Sequence, residues 1–302
     1  MAFATNSYIQ MSTLPARIKQ LWIYPIKSCA GIALDECVLT DTGLDLDRAW
    51  MVVDEQGKFV TQRQFPRMAL IQPTLRASDM VLRAPGMLAL HVSIDAVEQS
   101  TQVQVWKDHV PAYDMGDVAA QWFTDFLSLD AQGLPVAGAK RYRLVRFDPD
   151  CQRLANREWT GDIEAFNQFS DGFPLLVLNQ ASVDALNHKL VAAGHAPVGA
   201  ERFRPNLLIE GWAAHDEDRV MDLHMQALKA TEATITLRLV KPCTRCAIPN
   251  IDPANALSHP AVVDTLRSYR KDDRVQGGIT FGMNAIVLSG VDQVLRVGQT
   301  IT

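Results

Sequence analysis

Lys241-Pro242-Cys243-Thr244-Arg245-Cys246 places two thiols three positions apart beside two cations. A positive field favours thiolate, the form that binds soft metals or attacks electrophiles. Four uses of this segment stay open. A structural zinc needs four ligands, yet the next His, His259, stands thirteen residues on and no second Cys-x-x-Cys occurs. A thioredoxin-type pair opens a helix after a strand, whereas Pro249, Asp252 and Pro253 point to a loop. The thiols could also be two buried structural cysteines. Lastly, one cysteine could hold a metal cofactor, with Arg245 and Lys241 near that cofactor's anionic group.

Two further patterns concern anions. In Ile23-Tyr24-Pro25-Ile26-Lys27-Ser28-Cys29-Ala30-Gly31 an apolar strand runs into a Pro turn, then Lys, Ser and Gly. A Lys, a hydroxyl and backbone donors at a strand end can cradle a phosphate, although a solvated Lys at a turn would read the same way. Arginines also recur at strand ends: Arg48 before Trp50–Asp54, Arg63 after the next strand, and Arg202 and Arg204 before a strand at Asn206. Arg suits planar, bidentate anion recognition; an isolated surface ion pair would carry no functional meaning.

Other candidates fail on their own chemistry. Asp41–Asp47 lacks the Gly and the closing Glu of an EF-hand loop, and Asp216-Glu217-Asp218 reads as a solvated turn. His215 and His259 have no Ser or Asp pattern of a hydrolase, and there is no GxSxG, GxGxxG or Walker loop.

Elements must bring these segments together. The 302 residues allow two domains or one large one, and 48% hydrophobic with 21% charged residues describes a chain with a sizeable core. From Arg17 to Tyr113, strands are expected at Ile18–Tyr24, Trp50–Asp54, Lys58–Gln62, Met68–Leu75, Met87–Val92 and Gln102–Trp106. Asp54-Glu55-Gln56-Gly57 is a hairpin turn between two of them. Such spacing without helical period fits a sandwich or barrel. Gly116–Leu129 changes to helical period, with Asp117 as N-cap. Asp130–Lys140 is the expected boundary loop, and Arg141–Phe147 a strand opening the second region. A helix capped by Ser182 through Leu190 follows, then strands near Asn206–Ile209, Ala227–Leu239, Ala285–Leu288 and Gln293–Val297. The last helix is expected over Pro260–Tyr269.

The net charge of −5 argues against a general nucleic-acid binder, although it leaves room for a local basic pocket. No apolar run is long enough to span a membrane. Met1–Leu14 does not read as a secretory signal, and five sparse cysteines are those of reduced thiols in a cytoplasm.

Taken together, several stretches resemble the MOSC family with its N-terminal β-barrel partner domain, as in the mitochondrial amidoxime-reducing component and its bacterial YcbX-like relatives. They are IYPIKSCAG (23–31), DRAWMVVDEQGKFVTQRQFPRM (47–68), FSDGFPLLVLNQASVDALN (169–187), ERFRPNLLIEG (201–211), PCTRCAIPNIDP (242–253) and TLRSYR (265–270), closed by FG (281–282) and VG (297–298). The resemblance implies a mixed, β-rich (α+β) fold, with an N-terminal β-barrel-like domain over 15–130 packed on a C-terminal MOSC β-barrel domain with a few helices over 141–302.

It also implies a molybdenum cofactor, a molybdopterin ending in a phosphate, with Cys246 as the metal ligand and catalytic thiolate. Family residues around the pterin and phosphate fall on Lys27, Ser28, Arg48, Arg204, Asn206, Thr244 and Arg245, with Asp171 in the FSDGFP turn. Where the amidoxime reducers carry Asp-Thr-Ser, this chain has Asp171-Gly172-Phe173, two hydroxyls fewer. Arg245 is expected to hold down the Cys246 thiol pKa, and His215 or Asp171 are trial general acids. The implied reaction is reduction of small N-hydroxylated compounds such as hydroxylamines, N-hydroxylated bases or amidoximes. Alternatives are a cofactor carrier, or a persulfide sulfur-transfer protein using Cys246 or Cys243. No plant-type Cys-x4-Cys-x2-Cys spacing follows the last strand, so electrons are expected from a separate ferredoxin or cytochrome b5-type donor with its reductase.

Overall fold

The structure, a computed structural model, describes residues 15–96, 99–130, 134–135, 140–228 and 233–302. Met1–Leu14 and most of the expected boundary loop lie outside the described residues. The first strands are β1 (Ala16–Ile23), β2 (Ile32–Leu34), β3 (Glu36–Thr40), β4 (Gly43–Leu44), β5 (Trp50–Asp54), β6 (Gln72–Leu75), β7 (Asp79–Arg83) and β8 (Leu90–Ser93). Then come β9 (Gln99–Val105), β10 (Asp108–Asp114), helix α1 (Gly116–Leu127), β11 (Tyr142–Phe147), α2 (Arg157–Thr160), β12 (Leu175–Asn179) and α3 (Gln180–Ala192). The chain ends with β13 (Leu207–Glu210), β14 (Asp222–Gln226), β15 (Thr234–Thr244), α4 (Ala261–Arg267), β16 (Lys271–Asp272), β17 (Gly278–Ser289), β18 (Val294–Arg296) and β19 (Thr300–Ile301).

The largest sheet runs β14-β15-β17-β12-β13-β1-β19. Its ends meet, because His224 and Thr302 exchange backbone hydrogen bonds of 2.9 and 3.0 Å, so the path closes on itself. Its interior is one apolar cluster that includes Ile18, Leu21, Val177, Leu207, Ile209, Leu223, Leu237 and Ala285. Outside, Leu178 and Leu208 pack with Leu186 and Leu190 of α3 and Leu266 of α4. Strands buried on both faces read as continuous apolar runs, as LLVLN of β12 and LLI of β13 do.

A second sheet, β5-β11-β10-β9, is also covered on both sides. Alternation along β5 sends Trp50 and Val52 toward Phe123 and Phe126 of α1, and Met51 and Val53 toward Phe147 and Phe169. Two strands cross the expected boundary. β1 lies between β13 and β19 in the closed sheet, and β11 lies between β5 and β10 rather than opening the second region. The cause is two-sided burial: Leu144 faces one cluster while Val145 and Phe147 face the other, which a central position alone can cover.

Other expectations shift for local reasons. Met68–Leu75 is a 3-10 turn (Pro66–Leu70) followed by β6, with Pro at the turn's start. Phe59 and Lys58 make single bridges rather than a strand. Ala227–Leu239 straddles the β14–β15 connection, of which residues 229–232 lie outside the described residues. Asn179, not Ser182, caps α3, since its side chain accepts from the Ala181 N–H while the Ser182 hydroxyl donates to buried Glu217. At α1 Asp117 is not the cap; the Asp114 carboxylate accepts from the Gly116 N–H.

Candidate active site

Backbone bonds bring three distant segments into contact. The Lys27 N–H donates to Trp50 O, Trp50 N–H to Pro25 O, Arg48 N–H to Tyr24 O, and Phe169 N–H to Arg48 O. Arg48 is the hub. Its guanidinium pairs with Asp47 and donates to Asn206 Oδ1 (3.1 Å) and Arg204 O (3.1 Å). Ser28, Arg48 and Arg204 are all non-glycine residues at positive φ, of 70°, 51° and 57°. Each left-handed residue costs about 1–2 kcal/mol, and such strain persists where the surroundings over-determine it.

Tyr24, 2% exposed, lies between two cations: the Arg48 and Arg204 guanidinium carbons are 4.4 and 4.2 Å from its ring centroid. Gly31 makes room for that ring. A Cβ there would come within 2.5 Å of a Tyr24 ring carbon, so this glycine serves a close approach and not an anion cradle. Arg204 also donates to Cys29 O at 2.6 Å, yet its Nη2 is buried without a partner. Burial, then repulsion from Arg48, lowers its pKa to about 10. It remains charged at neutral pH and makes no ion pair among the described residues.

Lys27 is 6% exposed and its ammonium donates to Phe169 O (2.7 Å) and Asp171. Burial pushes its pKa down, and Asp171 opposes that. Desolvation works against the Asp171 charge, but Lys27 and the Trp106 indole N–H outweigh it and hold this carboxyl well below the usual carboxylate range. Asp171 is thus the ion-pair partner of Lys27. His215 does not line the cavity; its ring packs near Tyr269 and Phe281.

Lys27, Ser28, Arg48, Asp171, Arg204, Asn206, Thr244, Arg245 and Cys246 all line one cavity of about 1410 Å³. The structure thus brings together all the residues expected around the cofactor, while His215 lies apart from them. They do different work, however. The Asn206 amide is used within the fold, accepting from Leu176 N–H and Arg48 and donating to Trp22 O. The Arg245 guanidinium donates to the carbonyls of Phe281 and Phe203. Cys246 is exposed on the cavity, whereas Cys243 is half-buried and burial, despite Arg245, raises its pKa. The sequence reading missed Arg153 and Trp106. Buried Arg153 donates to Asn167 Oδ1, Gln168 O and Ser170 O and pairs with Asp108, so it holds the turn that carries Asp171. No pattern around Arg153 signals this, whereas an aromatic followed by Lys at a hairpin turn is a signal at Trp106.

Eleven Lys or Arg and two Asp line the cavity, in a chain of net charge −5. Such a concave surface focuses a positive field, with one exposed thiol beside it.

A closed, strand-rich sheet with a cation-lined, thiol-bearing cleft at its junction with a second sheet defines the class. Residues 15–130 match the MOSC N-terminal beta barrel domain and residues 166–302 the MOSC domain. The chain belongs to the MOSC family. It is 33% identical over 265 residues to the mitochondrial amidoxime-reducing component 1 of Mus musculus, covering 85% of this chain and 72% of that protein. To the mitochondrial amidoxime reducing component 2 of Bos taurus it is 32% identical, covering 85% and 73%. It is 29% identical to the molybdenum cofactor sulfurase of Bos taurus over 90% of this chain and 31% of that protein. Among the described residues, no helix is long and apolar enough to cross a membrane.

Proposed function

We propose that this chain is a molybdenum-cofactor-dependent reductase of N-hydroxylated compounds. The observation that carries the reading is the convergence of Lys27, Arg48, Arg204 and exposed Cys246 on one cavity. The residues fit the group: a buried Arg204 nitrogen lacks a partner, cations far outnumber carboxylates, and of the two cysteines that line the space Cys246 is the exposed one. No cluster of three or more His, Cys, Asp or Glu occurs among the described residues, so further metal ligands would come from the pterin's own sulfurs.

In this reading Lys27, Ser28, Arg48 and Arg204 bind the cofactor's phosphate, and Cys246 presents its sulfur to the metal. When bound, the molybdenum centre supplies the two-electron chemistry. Overall, the N–O bond breaks, two electrons and two protons enter, and the amine and water leave. Asp171, Arg153 and Trp106 fix the turn and the ammonium at one wall. Asn206 and Arg245 act through the neighbours they hold. At about 1410 Å³ the cavity exceeds the usual range of roughly 300–1,000 Å³ and leaves space for substrate beside a cofactor. The electrons are proposed to come from a separate ferredoxin or cytochrome b5-type protein with its reductase.

The test is metal analysis of protein from a molybdenum-replete host, followed by NADH-linked reduction of a hydroxylamine with each donor. Stoichiometric molybdenum with turnover is expected. Cys246→Ala should lose metal and activity while Cys243→Ala does much less. Equal, mild effects would overturn the thiolate assignment. Molybdenum without turnover under either donor would favour a carrier, and cyanide-labile sulfur on a cysteine would favour sulfur transfer.

A further inference from the structure

We infer that the outer wall of this cavity selects aromatic N-hydroxylated substrates that carry an anionic group, a carboxylate or a phosphate. The inference rests on the reading that reduction occurs in this cavity. Two sets stand apart among the lining cations. Lys27, Arg48 and Arg204 are committed to carbonyls, Asp partners or the Tyr24 ring. Lys58, Arg63, Lys107 and Lys241 also line the cavity, but none of them makes an ion pair among the described residues.

The first three of this outer set are exposed, and Arg63 lies over the ring of Trp106, the residue before Lys107. Trp106, 41% exposed at the β9–β10 turn, lies 4.9 Å from the Arg63 guanidinium carbon and 5.1 Å from the Phe59 ring centroid. Phe59 N–H donates to Gln104 O and Gln104 N–H to Gly57 O, which ties the segment of Lys58 to that of Lys107. Lys241 stands on β15, 5.5 Å from the Trp159 ring.

An unpaired cation on a convex surface is merely solvated. Four of them lining a concavity repel one another and focus a positive field into it, against the net negative charge of the chain. A cofactor phosphate bound at the partnerless Arg204 nitrogen would leave the outer set unneutralised. A planar substrate can use the exposed Trp106 ring, and its anionic substituent the ammonium groups beside it.

The experiment uses the molybdenum-loaded protein and its donor. It compares benzamidoxime with 4-carboxybenzamidoxime, and N4-hydroxycytidine with its 5′-monophosphate. At low salt, kcat/KM should favour the anionic member by about tenfold or more, the advantage shrinking as salt rises. The two pairs separate carboxylate from phosphate preference. In the double variant Lys58→Glu, Lys107→Glu the anionic member should lose about tenfold more than its neutral counterpart. Calorimetric binding of 4-carboxybenzamidine relative to benzamidine should weaken in the same variant, a readout that needs no turnover. Equal rates for the two members overturn the inference, as does a variant that raises KM for the electron donor while leaving the anion preference unchanged. Failure to reduce any of the four compounds would overturn the functional reading instead, and the binding comparison would still decide the wall's preference.

Discussion

Tyr24 carries more of the site than its chemistry suggests. Its hydroxyl is buried without a partner and burial drives its pKa up, so it is a neutral ring that spaces Arg48 and Arg204. A desolvated cation–π contact contributes about 2 kcal/mol, and here two share one ring. Gly31→Ala tests this arrangement. The added methyl would strike the ring at 2.5 Å and displace it. We expect a stability loss of about 1–3 kcal/mol from overpacking, read by chemical denaturation, together with weaker retention of a bound anion. Retained affinity for phosphate with Tyr24 displaced would show that the two guanidiniums do not depend on the ring.

At the scale of elements, the start of α3 is tied to the short turn Asp216–Asp218 by a fully buried carboxyl. Glu217 accepts from the Ser182 hydroxyl at 2.7 and 2.9 Å and from the Asn179 N–H at 3.3 Å. Burial, and next the Asp218 charge, push its pKa up to about 7 from the ordinary 4.5, against the Ser182 bond. The folded chain therefore holds a proton that the unfolded chain releases between these values. Its stabilising contribution is whole below pH 4.5 and is lost as pH rises through 7. The span is worth about 3 kcal/mol. Glu217→Gln, which keeps an acceptor for Ser182, should flatten urea-unfolding free energy against pH in this window and stabilise the protein at pH 8. An unchanged slope would mean that the carboxyl is charged in the fold.

For the whole molecule, the exchange of β1 and β11 makes the two sheets interdependent. Residues 141–302 alone would lack β1 between β13 and β19, and residues 1–140 would lack β11 between β5 and β10. Each fragment would then expose unpaired strand edges and half a core. We expect neither to fold alone, co-expression to restore a soluble pair, and the intact chain to unfold in one calorimetric transition with matching van't Hoff enthalpy. A cooperative transition in the isolated 141–302 fragment would contradict this.

The chain alone determined what depends on local spacing. Short apolar runs bounded by turn residues located β5 and β13, the Asp54–Gly57 turn is where Gly57 N–H returns to Asp54 O, and cations at strand ends marked Lys27, Arg48 and Arg204. Motif order carried the family. Strand partners were not legible, because an apolar run states that both faces are buried without saying which neighbours bury them. For the same reason Arg153, Trp106 and Gly31 acquired roles only in three dimensions: each acts on a residue brought near by the folding of distant segments. Arg245 and Asn206 were located by sequence, yet only tertiary structure gave their polar groups to carbonyls and neighbouring side chains. A buried donor takes whatever acceptor the fold leaves within reach, and chain position does not encode that choice.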